Sequence, residues 1–150
     1  MPQSHACLPI HLVFSTKNRN RIITETIRES LHAYMVTVLQ NIGCHAILIN
    51  SVEDHVHILF ELARTMSVSK VVEEVKTTTS KWIKVRGVEF AAFSWQSGYG
   101  AFAVSQSNVS AVCKYIASQH EHHRVKSFQE EYLAFLRRHD IAFDERYVWD

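Results

Sequence analysis

The sequence predicts an α+β sandwich in which one antiparallel sheet is covered by helices. Short β-rich runs and longer helical stretches follow one another as β-α-β-β-α-β-α, and the chain closes with a C-terminal helix. The two central β runs are joined directly by a four-residue turn, residues 51–54. No Pro/Gly/Ser-rich linker and no internal repeat divides the 150 residues, so residues 1–150 read as a single domain. The split βαβ, ferredoxin-like arrangement is the simplest topology consistent with this order.

Each element has its own warrant. Residues 10–15 (IHLVFS) form a first strand, and residues 16–21 a polar, basic loop. A helix follows over about residues 25–42, where Ile27, Leu31, Met35, Val38, Leu39 and Ile42 keep the spacing of a buried stripe. Gly43 stands where a glycine would end that helix. Residues 44–50 (CHAILIN) and 55–61 (HVHILFE) are the paired β runs. The second helix carries Val68, Val71, Val72, Val75, Trp82 and Ile83 at helical period. Aromatic and small residues over 93–105 suit a strand pair or one bent strand. A third helix spans residue 108 to about 120. Residues 127–130 (SFQE) have the form of a capping box and open a fourth helix through residue 138. Residues 139–150 predict an ordered tail, with Ile141, Phe143, Tyr147 and Trp149 available to dock.

Composition narrows the function classes. The chain has four glycines, and Gly43, Gly87, Gly98 and Gly100 fit neither the P-loop nor the dinucleotide spacing, which argues against a nucleotide cofactor. Cys7, Cys44 and Cys113 are odd in number and widely spaced, and read as reduced cytosolic thiols. The N-terminus lacks a signal-peptide pattern, and no apolar run approaches the ~20 residues of a membrane span. The expectation is a cytoplasmic protein without a membrane partner. The net charge of +1 points by itself to no nucleic acid, but it averages local basic clusters with an acidic remainder.

The sharpest local pattern is His55-Val56-His57. On a strand, residues two apart share a face, so both imidazoles point one way and Val56 the other. Such a pair suits a divalent metal ion, or it merely hydrogen-bonds within the sheet. On the third helix, Val109, Val112, Cys113 and Ile116 make the apolar stripe, and Tyr115 and Gln119 share one flank a single turn apart. Ala111 and His122 continue that flank. Tyr115 taken alone reads as boundary packing. Taken together, a metal on His55 and His57 could polarise a scissile phosphate, Gln119 could offer an amide oxygen as third ligand, and Tyr115 could attack.

These residues carry a resemblance that spans nearly the whole chain. The stretches LVFSTKNR (12–19), DHVHILF (54–60), SWQSGYGAFAVS (94–105), YIASQHEHH (115–123) and FDERYVW (143–149) occur in that order. The chain resembles the single-tyrosine HUH transposases of small bacterial insertion sequences and their REP-associated relatives. The resemblance implies His55 and His57 as metal ligands, Tyr115 as nucleophile on a C-terminal catalytic helix, and Gln119 as a further ligand. It implies cleavage and rejoining of single-stranded DNA at hairpins through a 5′-phosphotyrosine, without ATP, by a homodimer using Mg²⁺ or Mn²⁺. Ligand chemistry alone assigns two imidazoles to zinc or another transition metal, and Mn²⁺ satisfies both arguments.

Other residues divide between contact and scaffold. Lys17, Arg19 and Arg21 lie together without an acid between them, and the resemblance covers that loop, so they read as phosphate contacts. Lys76, Lys81, Lys84 and Arg86 fill a second acid-free stretch, and Lys70, Lys81 and Lys84 read as a solvated helix face. His120, His122 and His123 are accessory candidates for phosphate or metal, or simply solvated residues at a helix C-terminus. His5, His11, His32, His45 and His139 read as structural. Trp95 and Tyr99 read as sheet packing ahead of base stacking. Two other functions compete: a domesticated, non-cleaving binder of structured single-stranded nucleic acid, and a metal-dependent hydrolase of small phosphoesters.

Overall fold

A computed structural model describes residues 2–122 and 126–150. Its strands are β1 (Pro9–Ser15), β2 (His45–Ser51), β3 (His55–Glu61) and β4 (Gly100–Ala103). They form one sheet in the order β2-β3-β1-β4, and every neighbouring pair is antiparallel. Helices α1 (Glu25–Asn41) and α2 (Val68–Lys84) are the two crossovers of the split βαβ arrangement. Three further helices follow: α3 (Val109–Ala117), α4 (Gln119–His122) and α5 (Phe128–Arg138).

The period-2 alternation of β1 and β3 sends their side chains into two separate cores. Ile10, Leu12 and Phe14 with Val56, Ile58 and Phe60 face α1 and α2, meeting Ile27, Leu31, Met35, Val71 and Val75. Val13 with Phe102 meets Phe128, Tyr132, Phe135 and Leu136 of α5 on the opposite face. Leu59 on that same face meets Ile116 of α3. A register shift between Ala46 and Leu48 lets Ile47 and Leu48 of β2 both turn toward α3. The sheet is therefore covered on both sides, and the odd-numbered face of β3, carrying His55 and His57, lies under α5.

The helix boundaries follow local chemistry. Gly43 takes φ +81°, a left-handed conformation suited to glycine, and its N–H donates to the Gln40 carbonyl to end α1. Ser67 and Ser127 each accept from the backbone N–H three residues on, capping α2 and α5.

Three expectations need correction. Residues 93–105 contain the short strand β4 and an isolated bridge at Trp95, so they form neither a strand pair nor one continuous bent strand. Trp95 makes only an isolated bridge to Thr16, closed by the Gln96 N–H donating to the Ser15 carbonyl and the Lys17 N–H to the Ser94 carbonyl, and the Ser15 N–H donates to the Gln96 side-chain oxygen at 2.8 Å. The Lys76 ammonium then grips the Gln96 and Gly98 carbonyls, each at 2.7 Å, which removes it from the basic surface. The third helix breaks at Ser118, whose hydroxyl donates to the Tyr115 carbonyl at 3.0 Å and competes with the helical ladder. In the tail, Phe143, Val148 and Trp149 pack against the α5 core, but Ile141 and Tyr147 stay exposed.

Trp95 is a core residue, its indole N–H donating to Thr79 Oγ1 at 3.0 Å. The three cysteines are free. Among the described residues, no helix is long and apolar enough to cross a membrane.

His32 of α1 hydrogen-bonds Ser51 Oγ at 2.7 Å, and burial, helped by Arg28, lowers its pKa from 6.5 to about 4. Between those two values the unfolded chain binds a proton that the native ring refuses, so stability falls as pH drops from 6.5 toward 4. After discounting for the partly exposed ring, the loss from pH 6.5 to 5 is on the order of 1 kcal/mol. Urea midpoints at pH 7 and pH 5 should show this drop in the wild type and a smaller one in His32→Gln. Equal drops would assign the acid sensitivity elsewhere.

Candidate active site

The site is assembled from β1, β3, α3 and α5. His55 and His57 share one face of β3 and are fully buried. Their rings lie 5.2 Å apart, centroid to centroid. The third member is Glu131, one turn into α5, which is 2% exposed. Its Oε1 sits 3.0 Å from His57 Nε2 and 3.4 Å from His55 Nε2. Tyr115 of α3 donates its hydroxyl hydrogen bond to Oε2 of the same carboxylate. A single carboxyl group thus faces both imidazoles and the phenol of Tyr115.

The outer nitrogens of both imidazoles are also engaged. His55 Nδ1 is 2.7 Å from Asp54 Oδ1, and His57 Nδ1 is 2.8 Å from His11 Nε2. Each pairing leaves Nε2 directed at Glu131. Burial works against a protonated His55, but Asp54 and Glu131 outweigh it and hold the ring above its ordinary pKa. His11 moves the opposite way, down to about 3, because burial and then His57 oppose its charge. The Tyr115 phenol is pushed well above its usual range, first by burial and then by the Glu131 charge. The phenol therefore stays protonated at neutral pH.

His55, His57 and Glu131 offer three ligand atoms within 4.8 Å of one another, and no other such trio of His, Cys, Asp or Glu occurs among the described residues. Two imidazoles and a carboxylate suit a divalent transition ion such as Mn²⁺ better than Mg²⁺, which favours an all-oxygen shell. The donor set fits a divalent cation.

The other sequence candidates are distributed around this centre. Gln119 is fully buried, and its Nε2 donates to the Tyr115 carbonyl at 3.3 Å, so the helix break at Ser118 still leaves the two residues in contact. The basic loop is pinned beside the histidine strand: the Thr16 N–H donates to the Asp54 carbonyl and the Ile23 N–H to the Glu53 carbonyl. Lys17 and Arg21 are exposed, and Arg19 lies 5.7 Å from the centroid of the Trp149 ring. Arg21, Glu53, Asp54, His120, Lys126 and Phe128 line a cleft of about 240 Å³ that abuts His55. His120 is exposed and bonds Arg28 Nη1 at 3.1 Å, away from the two imidazoles' ligand nitrogens. The side chain of His122 and the whole of His123 lie outside the described residues.

Sequence reasoning missed Glu131 and His11. Glu131 carries a signal nonetheless: it occupies the buried stripe of α5 with Phe128, Tyr132, Phe135 and Leu136, where an acid needs a partner. His11 has no spacing to another histidine that would single it out.

Comparison with known proteins places these features in context. Residues 4–119 match the model of the family described as transposase, IS200-like. The chain is 21% identical to the ISDra2 transposase TnpA of Deinococcus radiodurans over 119 residues, covering 76% of this chain and 85% of that one. A candidate transposase from Deinococcus radiodurans R1 superposes with a TM-score of 0.60 at 17% identity, over 79% of this chain and 98% of the other. A REP-associated tyrosine transposase, solved bound to a REP hairpin, superposes with a TM-score of 0.61 at 14% identity, over 82% and 74%.

Proposed function

The chain belongs to the IS200-like transposase family, and from that premise we propose that it cleaves and rejoins single-stranded DNA at hairpin-bearing ends, with Tyr115 as the nucleophile. The observation that carries this reading is the single carboxyl group shared by Tyr115, His55 and His57. A phenol meant only for packing has no need of a buried acid that also faces two imidazoles.

In this reading His55 Nε2, His57 Nε2 and Glu131 hold Mn²⁺ or Mg²⁺, with the Gln119 amide oxygen as a further donor. The bound cation supplies Lewis-acid polarisation of a phosphoryl oxygen. Tyr115 Oη attacks phosphorus, the bond to the 3′-oxygen breaks, and a 5′-phosphotyrosine forms. The phenolic proton passes to the Glu131 carboxylate, and the departing 3′-oxygen takes a proton from solvent. The energy of the broken phosphodiester is kept in the new ester, so no nucleotide is consumed. Tyr115 lies 5.9 Å from the His57 ring within one chain, centroid to centroid, and the acting species in this reading is a homodimer. We read residues 1–150 as one domain acting on DNA in the cytoplasm.

The experiment that tests this is incubation with hairpin oligonucleotides drawn from the DNA flanking the gene, followed by mass spectrometry. A DNA adduct on Tyr115 is the expected result. Hairpin binding without an adduct would favour a non-cleaving binder, and phosphoester hydrolysis without an adduct would favour a hydrolase.

Lys17, Arg19 and Arg21 are proposed to hold the DNA backbone beside the cleft. Such contacts release counterions, so replacing Lys17 and Arg21 by alanine should flatten the slope of log affinity against log salt by about 1.4 to 1.8. Salt titrations of hairpin binding measure it, and an unchanged slope would remove the loop from the interface.

A further inference from the structure

We propose that His11 is a positioning residue for the candidate metal centre, fixing His57 in the tautomer that presents Nε2 to a divalent cation. The inference rests on the reading of His55 and His57 as cation ligands and adds to it a residue from a different strand.

The strand register creates the contact. His11 of β1 pairs with Leu59 of β3, and His57 pairs with Val13, so the two histidines are diagonal neighbours on one face of the sheet. His11 is 3% exposed, and its ring stacks on that of His57 with centroids 5.0 Å apart. The 2.8 Å approach of His11 Nε2 to His57 Nδ1 admits only one proton between the two nitrogens. A neutral His57 carries a single ring proton. For Nε2 to coordinate a cation, that proton must sit on Nδ1, where His11 Nε2 accepts it. His11 then carries its own proton on Nδ1, and each ring keeps one.

His11 is held in this role by aromatic packing. The rings of Phe135, Phe102 and Tyr115 meet it edge-on at 5.2 to 6.3 Å. This fixes the imidazole's orientation, so that Nε2 is offered to His57 continuously. The arrangement parallels the one at the other ligand, where Asp54 accepts at His55 Nδ1. Outer partners of this kind orient ligating histidines and raise their basicity. One ligand is thus supported by a carboxylate, and the other by a neutral ring that adds no charge to the buried face.

The test is Mn²⁺ binding to the full-length protein, read from the EPR signal of the free ion, in wild type, His11→Leu and His11→Gln. The leucine variant removes the acceptor and should bind Mn²⁺ about 10–100-fold more weakly. Glutamine reaches as far as Nε2 with an acceptor oxygen, and should recover most of that loss. A folded His11→Leu protein that binds like wild type would overturn the role of His11 alone. A wild type that binds no Mn²⁺ would instead overturn the cation reading of the whole site. Should the leucine variant fail to fold, ¹⁵N NMR of the Zn²⁺-loaded wild type decides. Protonated Nδ1 on both His57 and His11 is expected, and a proton on His11 Nε2 would refute the proposal.

Discussion

Tyr115→Phe is expected to abolish cleavage of hairpin DNA, by roughly 10⁴-fold or more, as for the loss of other enzyme nucleophiles. Binding of the same hairpin should survive. Only an oxygen is removed, and the ring keeps its edge-on contacts with His57 and Phe135. The substitution costs the protein one hydrogen bond to Glu131, about 1 kcal/mol in stability, because the carboxylate retains both imidazoles as neighbours. Cleavage gels and gel-shift assays on one oligonucleotide separate the two effects. Normal cleavage by this variant would end the case for Tyr115 as nucleophile. A joint loss of cleavage and binding would assign the hydroxyl to recognition.

His57→Ala should remove metal-dependent cleavage at least about 100-fold, more than the loss of an outer-shell partner alone causes. His57 stands at the centre of the site: its Nε2 faces Glu131 and its Nδ1 faces His11. Truncation leaves both of those buried groups short of a partner, which costs about 1–3 kcal/mol of stability. Thermal unfolding must therefore accompany the assay, so that activity is compared on folded protein. Raising Mn²⁺ should not restore the rate, since a donor is missing and not merely weakened. Unchanged cleavage in Mg²⁺ would place any metal elsewhere.

Much of this is legible in the sequence, and the reasons differ by residue. The two-residue spacing of His55 and His57 is also the period of a strand, so their common face follows once 55–61 is read as β. The sheet order follows from the alternation of elements. Glu131 was hidden because its neighbours His57 and Tyr115 are 74 and 16 residues away in sequence. Only its place on the apolar stripe of α5 marks it. His11 carries no local signal, because its partner lies on another strand and register is not written in local spacing. The break at Ser118 escaped because a serine inside a helix does not announce whether its hydroxyl will turn back to the chain. Lys76 of the acid-free stretch is spent on three backbone carbonyls, which local composition does not reveal.

The strand order β2-β3-β1-β4 has a consequence for how the site comes into being during synthesis. Strand β1 emerges first, yet it occupies the interior of the sheet, with β3 on one side and β4 on the other. Strand β3 pairs with it and brings the two histidines and His11 onto one face. Tyr115 and Glu131 arrive only with the last third of the chain. Since a domain generally folds as a unit, the imidazole pair, the tyrosine and the acid come together only once α3 and α5 have left the ribosome.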